Sequence, residues 1–197
     1  MKENMSLCLE GFFSIHEPDT KKCHYSGTNK IHLENMTQAL GWSVVGNDKG
    51  FITGIGFGNG ATVVDQTGVI RYLTPNTSNT TASLYNQTFF KSVSSDPTIN
   101  RDISRNYIET RHVSGASYTD VFVSCVLDYG EPANQQGFDI SSTNNSVYVF
   151  DEIGLFCKGI DEFGLLTHAV FHPVQKALNI LIQVDYTIRI HGLTSGV

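Results

Sequence analysis

From Ile180 to Ile190 an apolar residue occupies every second position. Ile180, Ile182, Val184, Tyr186, Ile188 and Ile190 take one set of positions, and Leu181, Gln183, Asp185, Thr187 and Arg189 take the other. Side chains of an extended chain point alternately to opposite faces, so this segment is a strand with one dry side and one mostly polar side. Three further strand-length apolar runs precede it: TDVFVSCVLDYG from Thr119, VYVFDEIGLFCKG from Val147 and GLLTHAVFHPVQK from Gly164. The last third of the chain therefore announces a sheet, and none of its motifs announces chemistry.

Composition narrows the partners. Of the 197 residues 40% are apolar, enough for a real core, while the charged share of 16% is low for a globular chain. The formal charge of −6 offers no general attraction to a phosphate backbone, so nucleic acid is not an expected partner. No apolar run has the roughly 18 residues that span a bilayer, and no membrane contact is expected. The start MKENMSLCLEGFF lacks the basic, apolar and small-residue order of a signal peptide, so export is not expected. The sequons at Asn76 and Asn86 carry no weight without a secretory route. Cys8, Cys23, Cys125 and Cys157 are scattered and lack CxxC spacing. Cys8 and Cys125 fall within strands and read as buried, reduced thiols.

Along the chain, Leu7 to Ile15 reads as a first strand and Glu17-Pro18-Asp19-Thr20 as a turn, with Lys22 to Tyr25 returning as its partner. Residues Ile31 to Trp42 predict a short helix, with Asn29 as its cap and Gly41 near its end, placed as a cover on the sheet. Phe51 to Phe57 is a glycine-thinned strand followed by Asn59-Gly60, a hairpin signal, and Gln66-Thr67-Gly68 marks another turn. Ser83 to Lys91 and Asn106 to Val113 are further strands within a polar stretch. The organisation expected is a hairpin-and-helix lobe over residues 1–45 and a β domain over 46–197. Polar arms at about 76–117 and 131–146 would project from that domain. The fold class is mainly β: an antiparallel β-sandwich, jelly-roll-like, with one short N-terminal helix.

Candidate chemistry is sparse. Gly54, Gly56, Gly58 and Gly60 miss the spacing of a dinucleotide loop, because its third glycine would fall on Asn59. His168 and His172 are four apart and would share one strand face, yet no carboxylate completes a ligand set, so no metal is expected. His16 and His24 could face each other across the first hairpin. The neighbouring acids Asp151-Glu152 and Asp161-Glu162 should point to opposite faces at solvated strand ends. No GxSxG elbow is present. Neither a catalytic residue nor a cofactor is assigned.

The segments FITGIGFGNGAT (Phe51 to Thr62), FDEIGLF (Phe150 to Phe156) and GLLTHAVFHPVQKALNILIQVDYTIRI (Gly164 to Ile190) resemble, in that order, a pattern of tailed-bacteriophage virion proteins. That pattern is related to tail-collar and tail-fibre attachment domains. The signature positions are Gly56, Gly58, Glu152, Gly154, Phe156, Phe171 and Pro173. Gly154 would let the chain bend, Phe156 would plug the core, and Pro173 would end a strand. The resemblance implies a non-enzymatic structural protein of the virion, made in the host cytoplasm. It would assemble as a homo-oligomer (trimer or ring) with other virion proteins at the tail, baseplate or neck. A longer insertion at 76–117 and the lack of a fibre-like repeat after Ile190 point to a stand-alone connector or decoration unit.

Two alternatives accompany this expectation: a capsid decoration protein and a host-glycan-binding module using Tyr85, Phe89, Phe90 and Tyr107. The residues expected to clasp neighbours are Thr77, Asn79 and Thr81 in one arm and Asn134, Gln135 and Asn144 in the other. Deleting 77–83 or 134–144 should then spare the fold and weaken assembly.

Overall fold

The computed structural model describes residues 5–79, 81–132, 147–160 and 163–194. The chain opens with β1 (Met5–His16), β2 (Cys23–Thr28), β3 (Lys30–Ile31) and the helix α1 (Leu33–Val44). It continues through β4 (Ile52–Gly58), β5 (Thr62–Val64), β6 (Ile70–Tyr72), β7 (Gln87–Ser92), β8 (Tyr107–His112) and β9 (Tyr118–Leu127). It closes with β10 (Val147–Lys158), β11 (Phe163–Leu165), β12 (Thr167–Ala177) and β13 (Ile182–Thr194).

These strands form two antiparallel sheets packed as a sandwich. The first has the order β2-β1-β13-β9-β8, the second β3-β12-β10-β4-β7 with β11 beside β10, and β5 and β6 make a separate hairpin. Pairing is nested: β1 lies along β13 from Met5↔Thr194 to His16↔Gln183, β3 meets β12, and β4 meets β10. Early strands thus find late partners.

The alternation in β13 does what its pattern dictates. Ile182, Val184, Tyr186 and Ile188 are buried, and register places Val123, Cys125 and Leu127 of β9 and Phe13 and Ile15 of β1 beside them. The opposing wall is Ile55 and Phe57 of β4, Ile153, Leu155 and Cys157 of β10, and Ala169, Phe171 and Val174 of β12. Phe13 bridges the layers, 5.6 Å from Phe171, and further ring pairs pack within each sheet, Phe13 with Tyr186 at 5.8 Å and Phe150 edge-on to Phe57 at 5.3 Å. Each such ring or aliphatic chain, once fully buried, contributes about 1.5–3 kcal/mol.

Several expectations are corrected. Residues 1–45 do not stand apart, because β1 lies between β2 and β13 inside the first sheet. Helix α1 is capped by His32, whose Nδ1 accepts from the Asn35 amide at 3.2 Å. Asn29 cannot cap it, since Lys30 and Ile31 are held extended against His168 and Thr167. Gly41 lies inside the helix, which runs on to Val44 and buries Met36 and Ala39. The 76–117 stretch is not a free arm, for it supplies β7 at the edge of one sheet and β8 at the edge of the other. Asn59-Gly60 does not close a hairpin: β4 pairs with β7 and β10, and the chain leaves the sheet there. The hairpin forms one step later, where β5 pairs with β6 around Gln66-Thr67-Gly68.

Candidate functional site

Asp151 and Glu152 sit where β10 changes register. Opposite β12 the pairing passes from Phe150↔Val174 to Glu152↔Val170, so two steps of β10 face four of β12. Tyr148 and Phe150 face the core before this irregularity, and Ile153, Leu155 and Cys157 face it afterwards. The alternation slips by one residue, and two consecutive acids leave the strand on the same side. The expectation of opposite faces at a solvated end is overturned: both side chains are fully buried. Pro173 lies in the same irregular stretch, so β12 runs through it to Ala177 instead of ending there.

Both carboxylates are saturated with donors. Asp151 accepts from the Ala61 amide at 3.1 Å, the Thr62 amide at 2.9 Å and the Thr62 hydroxyl. Glu152 Oε1 accepts from the amides of Gly60 at 3.2 Å and Asn86 at 2.9 Å. Its Oε2 accepts from the Tyr85 amide and from His168 Nε2, each at 2.9 Å. Burial pushes the Glu152 carboxyl up, but the His168 bond and the Asn86 and Tyr85 amides outweigh it and hold the group below its ordinary range. Burial dominates at Asp151, whose carboxyl is raised despite Thr62 and Ala61, with the charge of Glu152 adding to the rise.

Two histidines extend the network. His168 Nδ1 accepts from the Asn76 amide at 2.7 Å. An amide can only donate, so Nδ1 carries the lone pair and Nε2 the proton given to Glu152. His32 repeats the pattern: Nδ1 caps α1 and Nε2 donates to the Asn79 carbonyl at 2.6 Å. Loop 76–86 is thus fastened at Asn76, Asn79, Tyr85 and Asn86. Its Ala82 and Leu84 also pack on Phe156 and Leu165 in a second apolar cluster. The two acids clamp two loop segments, 60–62 and 85–86, onto β10, and His168 of β12 holds a third at Asn76.

The residues singled out by sequence fall as follows. Thr77 is half-buried; Asn79 and Thr81 are exposed, with the Thr81 hydroxyl donating to Asn79 Oδ1 at 2.8 Å. Asn134, Gln135 and Asn144 lie outside the described residues, as do Asp161 and Glu162. Phe171 is in the main core, whereas Phe156 fills the second cluster, edge-on to Phe90 at 6.0 Å, so it does not plug the sandwich. A Cβ on Gly56 would come within 2.5 Å of the Phe156 ring, and one on Gly58 within 2.4 Å of Glu152 Oε1. Gly154 does not bend β10; a Cβ there would stand 2.5 Å from Leu165.

His168 and His172 take different partners: His168 is buried against Glu152, whereas His172 is exposed, 3.2 Å from the Tyr72 hydroxyl. His24 bonds Glu17 at 2.8 Å instead of facing His16, which lies 3.8 Å from Asp185. Among the aromatics considered for glycans, Phe89 packs on Phe57, Phe90 on Phe156 and Tyr107 on Phe122. Tyr85 is exposed, its ring lying against His168 at 5.6 Å. Among the described residues no group of three or more His, Cys, Asp or Glu is placed to hold a metal ion. Among them, too, no helix is long and apolar enough to cross a membrane.

Two surface features went unread in the sequence. At one end α1 stands off the first sheet, leaving a cavity of about 420 Å³ lined by Met36, Leu40, Phe51, Ile108, Val121 and Ile190, among others. Its polar side chains are hydroxyls, from Ser43, Ser94, Ser95 and Thr110. The second is the β5–β6 hairpin. Asp65 orders its turn by accepting from the Thr67 amide at 2.9 Å, the Thr67 hydroxyl at 2.6 Å and the Val69 amide at 3.0 Å. Those bonds, with Thr67's hydroxyl foremost, lower the Asp65 carboxyl to about 2. The rigid turn displays Val63, Val64, Val69 and Tyr72 to solvent, each about half exposed or more.

No family model, curated protein or solved structure matches this chain.

Proposed function

We propose that the chain is a structural protein of a tailed-bacteriophage particle, non-enzymatic, that binds other virion subunits at the tail, baseplate or neck. The observation that carries the reading is the β5–β6 hairpin. Val63, Val64, Val69 and Tyr72 stand in water on an ordered hairpin, and such exposed apolar side chains support a reading in which another protein covers them. The hairpin stands outside both sheets, so docking there would leave the sandwich undisturbed. The resemblance of the FITGIGF, FDEIGLF and GLLTHAVFHPVQK segments to virion proteins supports the same reading, and so does the sparse surface charge. The acids and histidines of β10 and β12 fit it as well, because their hydrogen-bonding capacity is spent on fastening loops.

Antibody–gold labelling of intact particles tests the proposal, together with incorporation of a Val64→Asp/Val69→Asp variant. Label at the tail, baseplate or neck and a folded variant that fails to enter particles are the expected results. Label on the head would move the reading to capsid decoration. Absence from purified particles would overturn it.

A further inference from the structure

We propose that β8 is a self-association edge. Two copies would pair antiparallel along Tyr107–His112 about a two-fold axis at Thr110, joining their five-stranded sheets into one. This rests on the preceding reading only in treating the chain as an assembling subunit.

Strand β8 ends the first sheet. One side pairs with β9 from Tyr107↔Ser124 to His112↔Thr119, and among the described residues no strand occupies the other. Ile108 to His112 are all exposed. Such an edge leaves a row of amides and carbonyls open to a further strand. It is also ordered: Arg111 lies 3.4 Å over the Phe122 ring and its Nε donates to Glu109 Oε1 at 2.6 Å. One nitrogen of the His112 ring, Nδ1, lies 3.1 Å from the Tyr118 carbonyl and 3.0 Å from the Thr119 hydroxyl.

Charge selects the occupant and the register. Only alternate residues turn their backbone groups outward, so in a two-fold antiparallel pair each residue faces one of its own parity. The axis must therefore pass through a residue. An axis at Glu109 would set that acid against its own copy, and an axis at Arg111 would oppose the two guanidinium groups. An axis at Thr110 sets Glu109 against Arg111 on both sides and Ile108 against His112. Opposite charges across an antiparallel pair stabilise it and like charges destabilise it. Charges on an edge usually discourage pairing; this spacing makes them self-complementary.

The inner face agrees. Ile108 and Thr110 line the apolar cavity, so a second copy's strand would extend that wall and cover Ile108. The contact is isologous and closes on itself, so larger rings would need another surface as well, such as the hairpin.

Light scattering of the purified full chain at about 100 µM, a concentration that populates even weak contacts, should give twice the 21.7 kDa mass. Glu109→Arg and Arg111→Glu should each weaken the dimer about tenfold, and the double exchange should restore it to within about threefold. Circular dichroism and melting would confirm that these exposed substitutions leave the fold intact. A monomer at that concentration would overturn the proposal. So would a dimer indifferent to either reversal, or a double exchange that fails to rescue. A dimer whose chain is absent from particles would keep the pairing and remove the virion reading.

Discussion

Replacing Glu152 by glutamine keeps the size of the side chain and removes its ability to satisfy four donors. The carboxylate receives the Gly60 and Asn86 amides on one oxygen and the Tyr85 amide and His168 Nε2 on the other. Glutamine has one carbonyl, so its NH₂ must face one of those pairs, donor against donor. His168 cannot relieve the clash by moving its proton to Nδ1, because Nδ1 accepts from the Asn76 amide. Two buried donors are thus stranded, at about 1–3 kcal/mol each. We expect a loss of about 3–4 kcal/mol at pH 7, a large share of the stability of a domain, and a Tm lower by roughly 10 °C. Urea unfolding followed by fluorescence measures it. The sign of the pH dependence follows from Glu152's lowered carboxyl: its contribution is full above the ordinary glutamate value of 4.5 and fades as pH falls through the lower folded value. Wild type and variant should therefore converge below pH 4.5. A difference under about 1 kcal/mol at neutral pH would refute the clamp.

Gly58→Ala forces a methyl to within 2.4 Å of Glu152 Oε1; about 2 kcal/mol should be lost in the same urea titration, as in other overpacked sites. Deleting 77–83 removes Ala82 from its cluster and takes the Asn79 carbonyl from His32. The product should melt well below wild type by calorimetry, and an unchanged Tm would show that the loop is dispensable. Burial pushes the Cys125 thiol up to about 12 and the Cys157 thiol to about 11, whereas Cys23 is exposed. A chromogenic disulfide at pH 8 should therefore label Cys23 quickly, and Cys125 and Cys157 only after denaturant is added.

The sheets were legible because β1, β4, β9, β10 and β13 keep apolar residues where burial needs them. The two-layer architecture followed from that. The clamp was not legible, since strict alternation sends Asp151 and Glu152 to opposite faces and the register slip that reunites them arises from the pairing with β12. One signal did exist: two acids inside the uninterrupted run FDEIGLF, with no turn residue beside them, cannot both be solvated. The helix start was misplaced because Ile31 is claimed by a two-residue ladder with β12, a contact over a hundred residues away in sequence. Asn59-Gly60 misled for a similar reason, as the Asn59 amide is taken by the Asn86 carbonyl at 3.2 Å and that of Gly60 by Glu152.

The long ladder between β1 and β13 has a cost during synthesis. Met5 meets Thr194, so the first strand made must wait for the last. At about 5–20 residues per second that wait is roughly ten to forty seconds, with Leu9, Phe13 and Ile15 unshielded on the nascent polypeptide. Pairings this distant also slow the search for the native topology once release occurs. A newborn molecule of this kind has every reason to be a chaperone client, and its yield on expression should rise when holdases are abundant.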